Sequence, residues 1–378
     1  MTMQCEVQEI RSSVAPRCNS QGLGVMLVCL WCVAFQSLGA VYAADQVVTH
    51  DETLFGKIES VTSESVRLLP RGSTGAPREI GVANVSMIQF DGEPQGLIEA
   101  KRRLVKKEFA SALRAVEEID EGQMKSSSVA IRGEYAYVQA VATGRIAIGT
   151  AEEVPFALSR VERVIDQFTR SIHHYELLEL AGDLEVTLGH FNKAKIFYDK
   201  MKEGPPLMRL RARRLGGNVL AAEGRHLEAV AEFEKVQLEN LDLSDGEQEK
   251  IAACLGQAAS FIALSRFGEA VSLIRTLLSR DFPEEVPVSS VEGLLGKAYG
   301  LLGQSFIEMG QNQEALIAYL TVDLVYNTDS DTHADSLLQL IDLWKEGGYP
   351  LRAAEARKKL VDSYPESEAA TRLKSNSG

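Results

Sequence analysis

The sequence predicts a mainly α-helical chain, a stack of antiparallel helix pairs behind a small β-module. Three observations carry that prediction. Apolar residues recur with period two between Val47 and Phe90, then with helical spacing after Pro94. A turn-and-second-helix pattern then returns along the chain: Phe109, Ala112 and Val116; Gly189, Phe191, Ala194 and Tyr198; Gly224, Ala229 and Phe233; Phe267, Ala270 and Ile274; Gly310, Ala315 and Tyr319; Tyr349, Ala353 and Pro365. Small residues in the preceding helix (Ala100, Gly182, Gly217, Ala258 and Gly303) supply a second register, independent of the first.

Taken in order, residues 1–43 read as a leader. Gly22 to Ala43 is apolar and almost uncharged, preceded by Arg11 and Arg17. Val41 and Ala43 suit signal-peptidase cleavage, which leaves Ala44 or Asp45 as the new N-terminus. An uncleaved N-terminal anchor is the competing reading, since an apolar run of about twenty residues can span a bilayer. Either way the remainder is expected outside the cytoplasm: periplasmic or secreted, or anchored to the inner membrane and facing outward. Four of the five cysteines fall in this leader, and Cys254 is expected to be a small core residue on a helix face. Packing, not an internal disulfide, must hold the mature chain.

Residues 45–94 form the β-module. Ile58, Val61, Val66, Leu68, Ile80, Val82, Val85, Ile88 and Phe90 alternate between turn signals, with Arg71 to Glu79 as a loop and Phe90 to Pro94 as the exit. About five short strands in so few residues predict an SH3-like or Sm-like barrel or meander, near the lower size limit for independent stability. Docking against the first helices would supply the missing core.

From residue 95 to 370 the expectation is helical pairs. In Tyr299 to Tyr319, small Gly303 and Ala315 sit where two helices approach, large apolar residues flank them, and Gly310 marks the turn. No such pair can bury its own apolar face, so neighbours must stack. Between Gln123 and Phe168 the pattern weakens to two helices joined by a long connection, Gly144 to Glu153. Further loops are expected at Leu238 to Gln248, Arg280 to Ser290 and Asn327 to His333, and a polar, disordered tail at 371–378.

Composition excludes several classes. The net charge of -13 opposes general nucleic-acid binding, which needs clustered Lys and Arg, so no nucleic-acid partner is expected. Gly293 to Gly303 has glycines and Lys297 but lacks the spacing and Ser or Thr of a phosphate loop. His173 and His174 are adjacent, so on a helix they diverge by about 100° and cannot share a metal as i and i+4 would. No G-x-S-x-G occurs, and Cys254 has no evident base. Glu117/Glu118 and Glu284/Glu285 fall at helix ends or loops, where solvated charge is the default. No catalytic residue, cofactor or metal is expected.

The aromatic, Leu-Gly, aromatic, Ala and Phe/Tyr spacing resembles the tetratricopeptide repeat, in the manner of bacterial envelope proteins. The front end, Gly56 to Pro94, resembles the small β-domain that precedes such repeats in some exported proteins. The resemblance implies a scaffold that binds proteins or peptides. It also implies a candidate site. In repeats that grip a carboxylate, Lys and Asn occupy the fifth and ninth residues of a first helix, where this chain has Arg214 and Asn218, and Lys297 falls on a second such position. Gly256 and Leu301 stand where that pattern wants Asn and Arg. The expectation is therefore an exported non-enzymatic scaffold with a peptide-binding concave groove. The alternatives are an accessory subunit or hydrolase with a site at the β-module/repeat junction, and a self-assembling structural protein. Membrane contact is expected only through an uncleaved leader.

Overall fold

A computed structural model describes residues 44–375, apart from 74, 241–243 and 281–287. The expected leader lies outside the described residues, as do Glu284 and Glu285. Among the described residues no helix is long and apolar enough to cross a membrane.

The β-module is a five-stranded antiparallel sheet: β1 (Asp45–Thr49), β2 (Thr53–Val61), β3 (Ser65–Pro70), β4 (Arg78–Gly81) and β5 (Val85–Gln89). Its order, β4-β3-β2-β1-β5, is a meander whose last strand returns beside the first. Val82, expected on a strand, lies instead in the single 3-10 turn that joins β4 to β5. Val47, Val66, Leu68, Ile80 and Ile88 face inward, as period-two alternation demands. Gly56 is needed where β2 meets β3, because a Cβ there would lie 2.1 Å from the Leu69 carbonyl oxygen. The sheet does not close its core alone. Ile172, from the helical region, completes it.

Helices begin at the residue after Pro94. They are α1 (Gln95–Val105), α2 (Phe109–Glu117), α3 (Glu121–Ser126), α4 (Val129–Ala147), α5 (Val154–Gln167), α6 (His174–Thr187), α7 (Phe191–Met201) and α8 (Pro206–Ala222). There follow α9 (His226–Leu238), α10 (Ser244–Ala263), α11 (Phe267–Leu278), α12 (Val288–Glu308), α13 (Asn312–Leu324), α14 (Ser330–Glu346), α15 (Pro350–Ser363) and α16 (Glu368–Ser375). Pairs α1/α2, α4/α5, α6/α7, α8/α9, α10/α11, α12/α13 and α14/α15 stack in sequence, with first helices adjoining first helices. This is a tetratricopeptide-like solenoid preceded by a small sheet.

The local cause of the pairing is visible at each turn. In α6/α7, His190 N–H donates to the Glu185 carbonyl and Gly189 N–H to that of Val186, the Schellman closure. The same two bonds recur at Gly224, Gly310 and Gly348, all at positive φ. Lys107 and Ser265 take that conformation without being glycine, at φ 60° and 58°. Inside the pairs, the second-helix aromatic fills the space left by a first-helix glycine. Tyr198 lies against Gly182 and Tyr319 against Gly303.

Several boundaries differ from expectation. Gly144 to Ala147, read as connection, continue α4. Ser244 to Gln248 and Val288 to Ser290, read as loop, open α10 and α12. The tail expected to be disordered forms α16 up to Ser375, which buries Ala369, Ala370 and Leu373. Its polar composition conceals an alanine-leucine stripe at helical spacing, and that stripe caps α14.

Candidate functional site

The first helices α1, α4, α6, α8, α10, α12 and α14 form the inner wall of the stack. Charged side chains on that wall pair across neighbouring helices. Arg145 of α4 reaches Asp183 of α6 at 3.0 Å, and Tyr198 donates its hydroxyl to the same carboxylate at 2.9 Å. Arg211 of α8 lies 3.5 Å from Glu179 of α6 and donates to Glu249 of α10 at 2.7 Å. Arg214 donates to the other Glu249 oxygen at 2.5 Å.

Burial divides these acids. It pushes the Asp183 carboxyl up despite Arg145 and the Tyr198 hydrogen bond, and pushes Glu179 up despite Arg211. Glu249 is buried too, yet Arg214 and Arg211 outweigh that cost and hold it below the ordinary carboxylate value.

Beyond this cluster the wall opens into a groove of about 840 Å3 that spans four successive repeats. Ala252 and Ala259 of α10 and Gly300 of α12 give it a shallow floor, while Leu294, Leu301 and Ile307 supply apolar flanks. Asp335 and Gln339 of α14 and Arg372 of α16 close the far end. The structure brings Arg214, Asn218 and Lys297 onto this one surface. Their states differ. Arg214 is committed to Glu249, Lys297 is half exposed and 3.3 Å from Asp329, and the exposed Asn218 side chain makes no hydrogen bond among the described residues. Gly256 and Leu301 also line the groove, at the two positions where the carboxylate pattern is broken.

Sequence reasoning missed Glu249, which follows directly on an expected loop, and Arg372, which sat in the expected tail. The helical periodicity of α10 was the available signal for Glu249. Nothing in the sequence pairs it with Arg214.

A second cluster lies where the sheet meets the repeats. The Lys101 ammonium, nearly fully buried, donates to the Ile88 carbonyl at 2.5 Å, pairs with Glu93 at 2.5 Å and lies 3.4 Å from Glu134. His173, which precedes α6, stacks on Tyr137 with ring centres 3.4 Å apart and places Nε2 3.1 Å from Glu134. Tyr137 donates to Glu176 at 2.7 Å. Burial alone would lower the His173 pKa, but Glu134 and Glu176 raise it to about 9. Burial alone would raise Glu134, yet His173 and Lys101 bring it down to about 2. A pocket of about 590 Å3 sits beside this network. Among the described residues no group of three His, Cys, Asp or Glu is placed to hold a metal ion.

No known family matches the chain by sequence, and no curated protein does. Several solved structures are similar in fold at low sequence identity. A tetratricopeptide repeat protein from Parabacteroides merdae is 18% identical over 74% of this chain and 98% of its own, with a TM-score of 0.48. YrrB, described as a TPR protein with an unusual peptide-binding site, is 19% identical over 57% of this chain and 97% of its own, at 0.33. PilW, a type IV pilus biogenesis factor, is 16% identical over 61% of this chain and 97% of its own, at 0.42.

Proposed function

We propose that this chain is an exported, non-enzymatic scaffold that holds a protein or peptide segment in its concave groove, within an envelope assembly. One observation carries the binding part. Four consecutive repeats contribute to a single groove whose floor is Gly and Ala and whose rim carries Arg214, Asn218 and Lys297. A floor without bulk lets a ligand backbone approach closely, and donors on the rim can fix its polar groups. The apolar leader with its Ala43 cleavage site supports export.

The alternative of chemistry at the sheet–repeat junction is less well supported. A pocket exists there, but Lys101, Glu134 and His173 are engaged with one another, and Glu176 is taken up by Tyr137.

A photo-crosslinking residue placed at Ala259, on the groove floor, should trap one discrete partner in intact cells. The same residue at Leu227, exposed on α9, should trap none. Equal labelling from both positions would remove the groove from the proposal. Export is tested separately, by fractionating cells for the mature chain.

A further inference from the structure

We propose that the cleft where β5 meets α1 is a second docking site, one that takes an acidic peptide segment carrying a large apolar side chain. It is built from β5, α1, α2, α4 and the start of α6, whereas the concave groove is lined from α8 to α16. The two sites therefore stand or fall separately.

The run Lys101–Lys107 holds five cations and no acid, in a chain of net charge -13. Two of the five serve the fold: Lys101 is buried against Glu93 and Glu134, and Arg103 bonds Glu99 one turn back. Arg102, Lys106 and Lys107 are exposed and have no side-chain partner among the described residues. The other basic run, Arg209 to Arg214, makes the contrast. There Arg209 donates to the Gly204 carbonyl, Arg213 to Glu239, and Arg211 and Arg214 to Glu249. A basic run that serves packing is neutralised from within, and the α1 run is left uncompensated.

Those cations rim two joined hollows. One, of about 590 Å3, lies between β5 and α4; the other, of about 410 Å3, lies between β5 and α1. Ser86, Met87 and Val105 belong to both. The larger falls within the roughly 300–1,000 Å3 typical of ligand pockets. Met87, Leu104, Val105, Phe109 and Val141 give it apolar wall. Val105 is 61% exposed, a large apolar side chain that α1 leaves out of the core between Arg102 and Lys106. Farther in, the charges cancel: Lys101 and His173 meet Glu134, and Arg145 meets Asp183.

The character of the ligand follows. The outer edge of β5 has no strand beside it among the described residues, yet it is closed where it would pair. Lys101 donates to the Ile88 carbonyl, and the Glu93 carboxylate accepts from the Phe90 N–H. A visiting segment therefore binds through its side chains and not as an added strand. An apolar side chain gains most inside the hollow, and carboxylates beside it gain most against Arg102, Lys106 and Lys107. The acidic balance of the rest of the chain repels such a segment, which steers it to α1. A bilayer surface offers the same anionic charge, but it is flat and cannot follow two hollows.

Panning the purified chain against a random peptide library tests this. Selected peptides should carry Asp or Glu beside Leu, Phe or Trp. Calorimetric titration should show their binding weakened about tenfold or more by Arg102→Ala/Lys106→Ala/Lys107→Gly, which removes three exposed pairings of modest strength. Val105→Ser should weaken it as well. The triple variant breaks no internal side-chain contact, so its melting midpoint should not fall, and lost binding is then separable from lost fold. Lys193→Ala/Lys195→Ala/Lys200→Ala, exposed on α7, changes net charge equally and should bind as the parent does. Peptides without acids, binding that the α1 variant leaves intact, or equal weakening by both triple variants overturns the site. Selection of no peptide overturns it too, and if phosphatidylglycerol vesicles then bind the parent but not the α1 variant, the cations belong to a membrane instead. Crosslinking at Ala259 reports on the groove alone, so failure of either site leaves the other standing.

Discussion

The ring of Phe233 occupies the space that a side chain on Gly256 would need: a Cβ there would lie 2.5 Å from the ring Cζ. The same ring lies 2.7 Å from where a Cβ on Gly217 would be. One aromatic of α9 is thus clasped by glycines of two successive first helices, α8 and α10, at the division of the apolar core. Gly256→Ala and Gly217→Ala must each displace a fully buried ring, at a cost of about 1–3 kcal/mol. Gly216, one residue away, has nothing within 4 Å, so Gly216→Ala should stabilise α8 by up to about 1 kcal/mol. Urea midpoints of the three variants check this, and a Gly256→Ala chain as stable as the parent would refute the clasp.

Turn residues supply an opposite pair of outcomes. Lys107 and Ser265 hold the left-handed conformation that glycine fills at the equivalent turns of four other pairs. A side chain there is strained by about 1–2 kcal/mol, part of which glycine gives back through unfolded-chain entropy. Lys107→Gly and Ser265→Gly should therefore stabilise slightly, whereas Gly310→Ala should destabilise by about 1 kcal/mol. Thermal midpoints of single variants would show the two signs.

These positions also show how far the sequence could be read. Glycine turns, signature alanines and paired small residues announced the stack, because each encodes a local steric requirement. Lys107 and Ser265 were invisible as turn residues, since only the closing hydrogen bonds reveal their role. The candidate site was legible in one sense: the resemblance to carboxylate-gripping repeats pointed to Arg214, Asn218 and Lys297, which line one groove. Their electrostatic state was not, because Glu249 lies 35 residues from Arg214 and Asp329 comes from the next repeat. Pairing across stacked repeats depends on superhelical geometry that no local pattern encodes. The α16 cap was hidden by the polar residues that flank Ala369, Ala370 and Leu373.

The His173–Glu134 contact predicts how stability follows pH. His173 is raised from 6.5 to about 9, so its contribution is whole below 6.5 and is lost as pH rises through about 9. Glu134 is lowered from 4.5 to about 2, so its contribution is whole above 4.5 and is lost as pH falls through about 2. The pair stabilises most fully between 4.5 and 6.5. Scanning calorimetry should show the parent midpoint falling across the alkaline window. His173→Gln should begin lower and stay nearly flat there. Parallel curves for the two chains would assign the alkaline loss to other groups.

Cys254 offers a probe of the core that needs no substitution. It is buried on α10 and burial pushes its thiol up to about 11, so little thiolate exists near neutrality. A thiol reagent should label Cys254 in the folded chain only at the rate of opening, and quickly in denaturant. Rapid labelling of the native protein would mean that α10 is not packed as described.

Arg214 and Lys297 line the same groove, yet their removal should act differently. Glu249 is buried, and Arg214→Ala would leave it with Arg211 as its remaining partner at that carboxylate. An under-paired buried charge costs about 1–3 kcal/mol, so that variant should lose stability as well as any binding. Lys297 is half exposed and its bridge to Asp329 is a surface pair, worth no more than about 1 kcal/mol. Lys297→Ala should therefore melt like the parent. If the groove holds the partner, it should nevertheless weaken the crosslink from Ala259, and charge reversal in Lys297→Glu should weaken it further. Full labelling in both Lys297 variants would place the ligand away from the α12 wall, whatever Arg214→Ala does. Arg214 alone cannot decide the matter, because its loss disturbs the fold and the groove together.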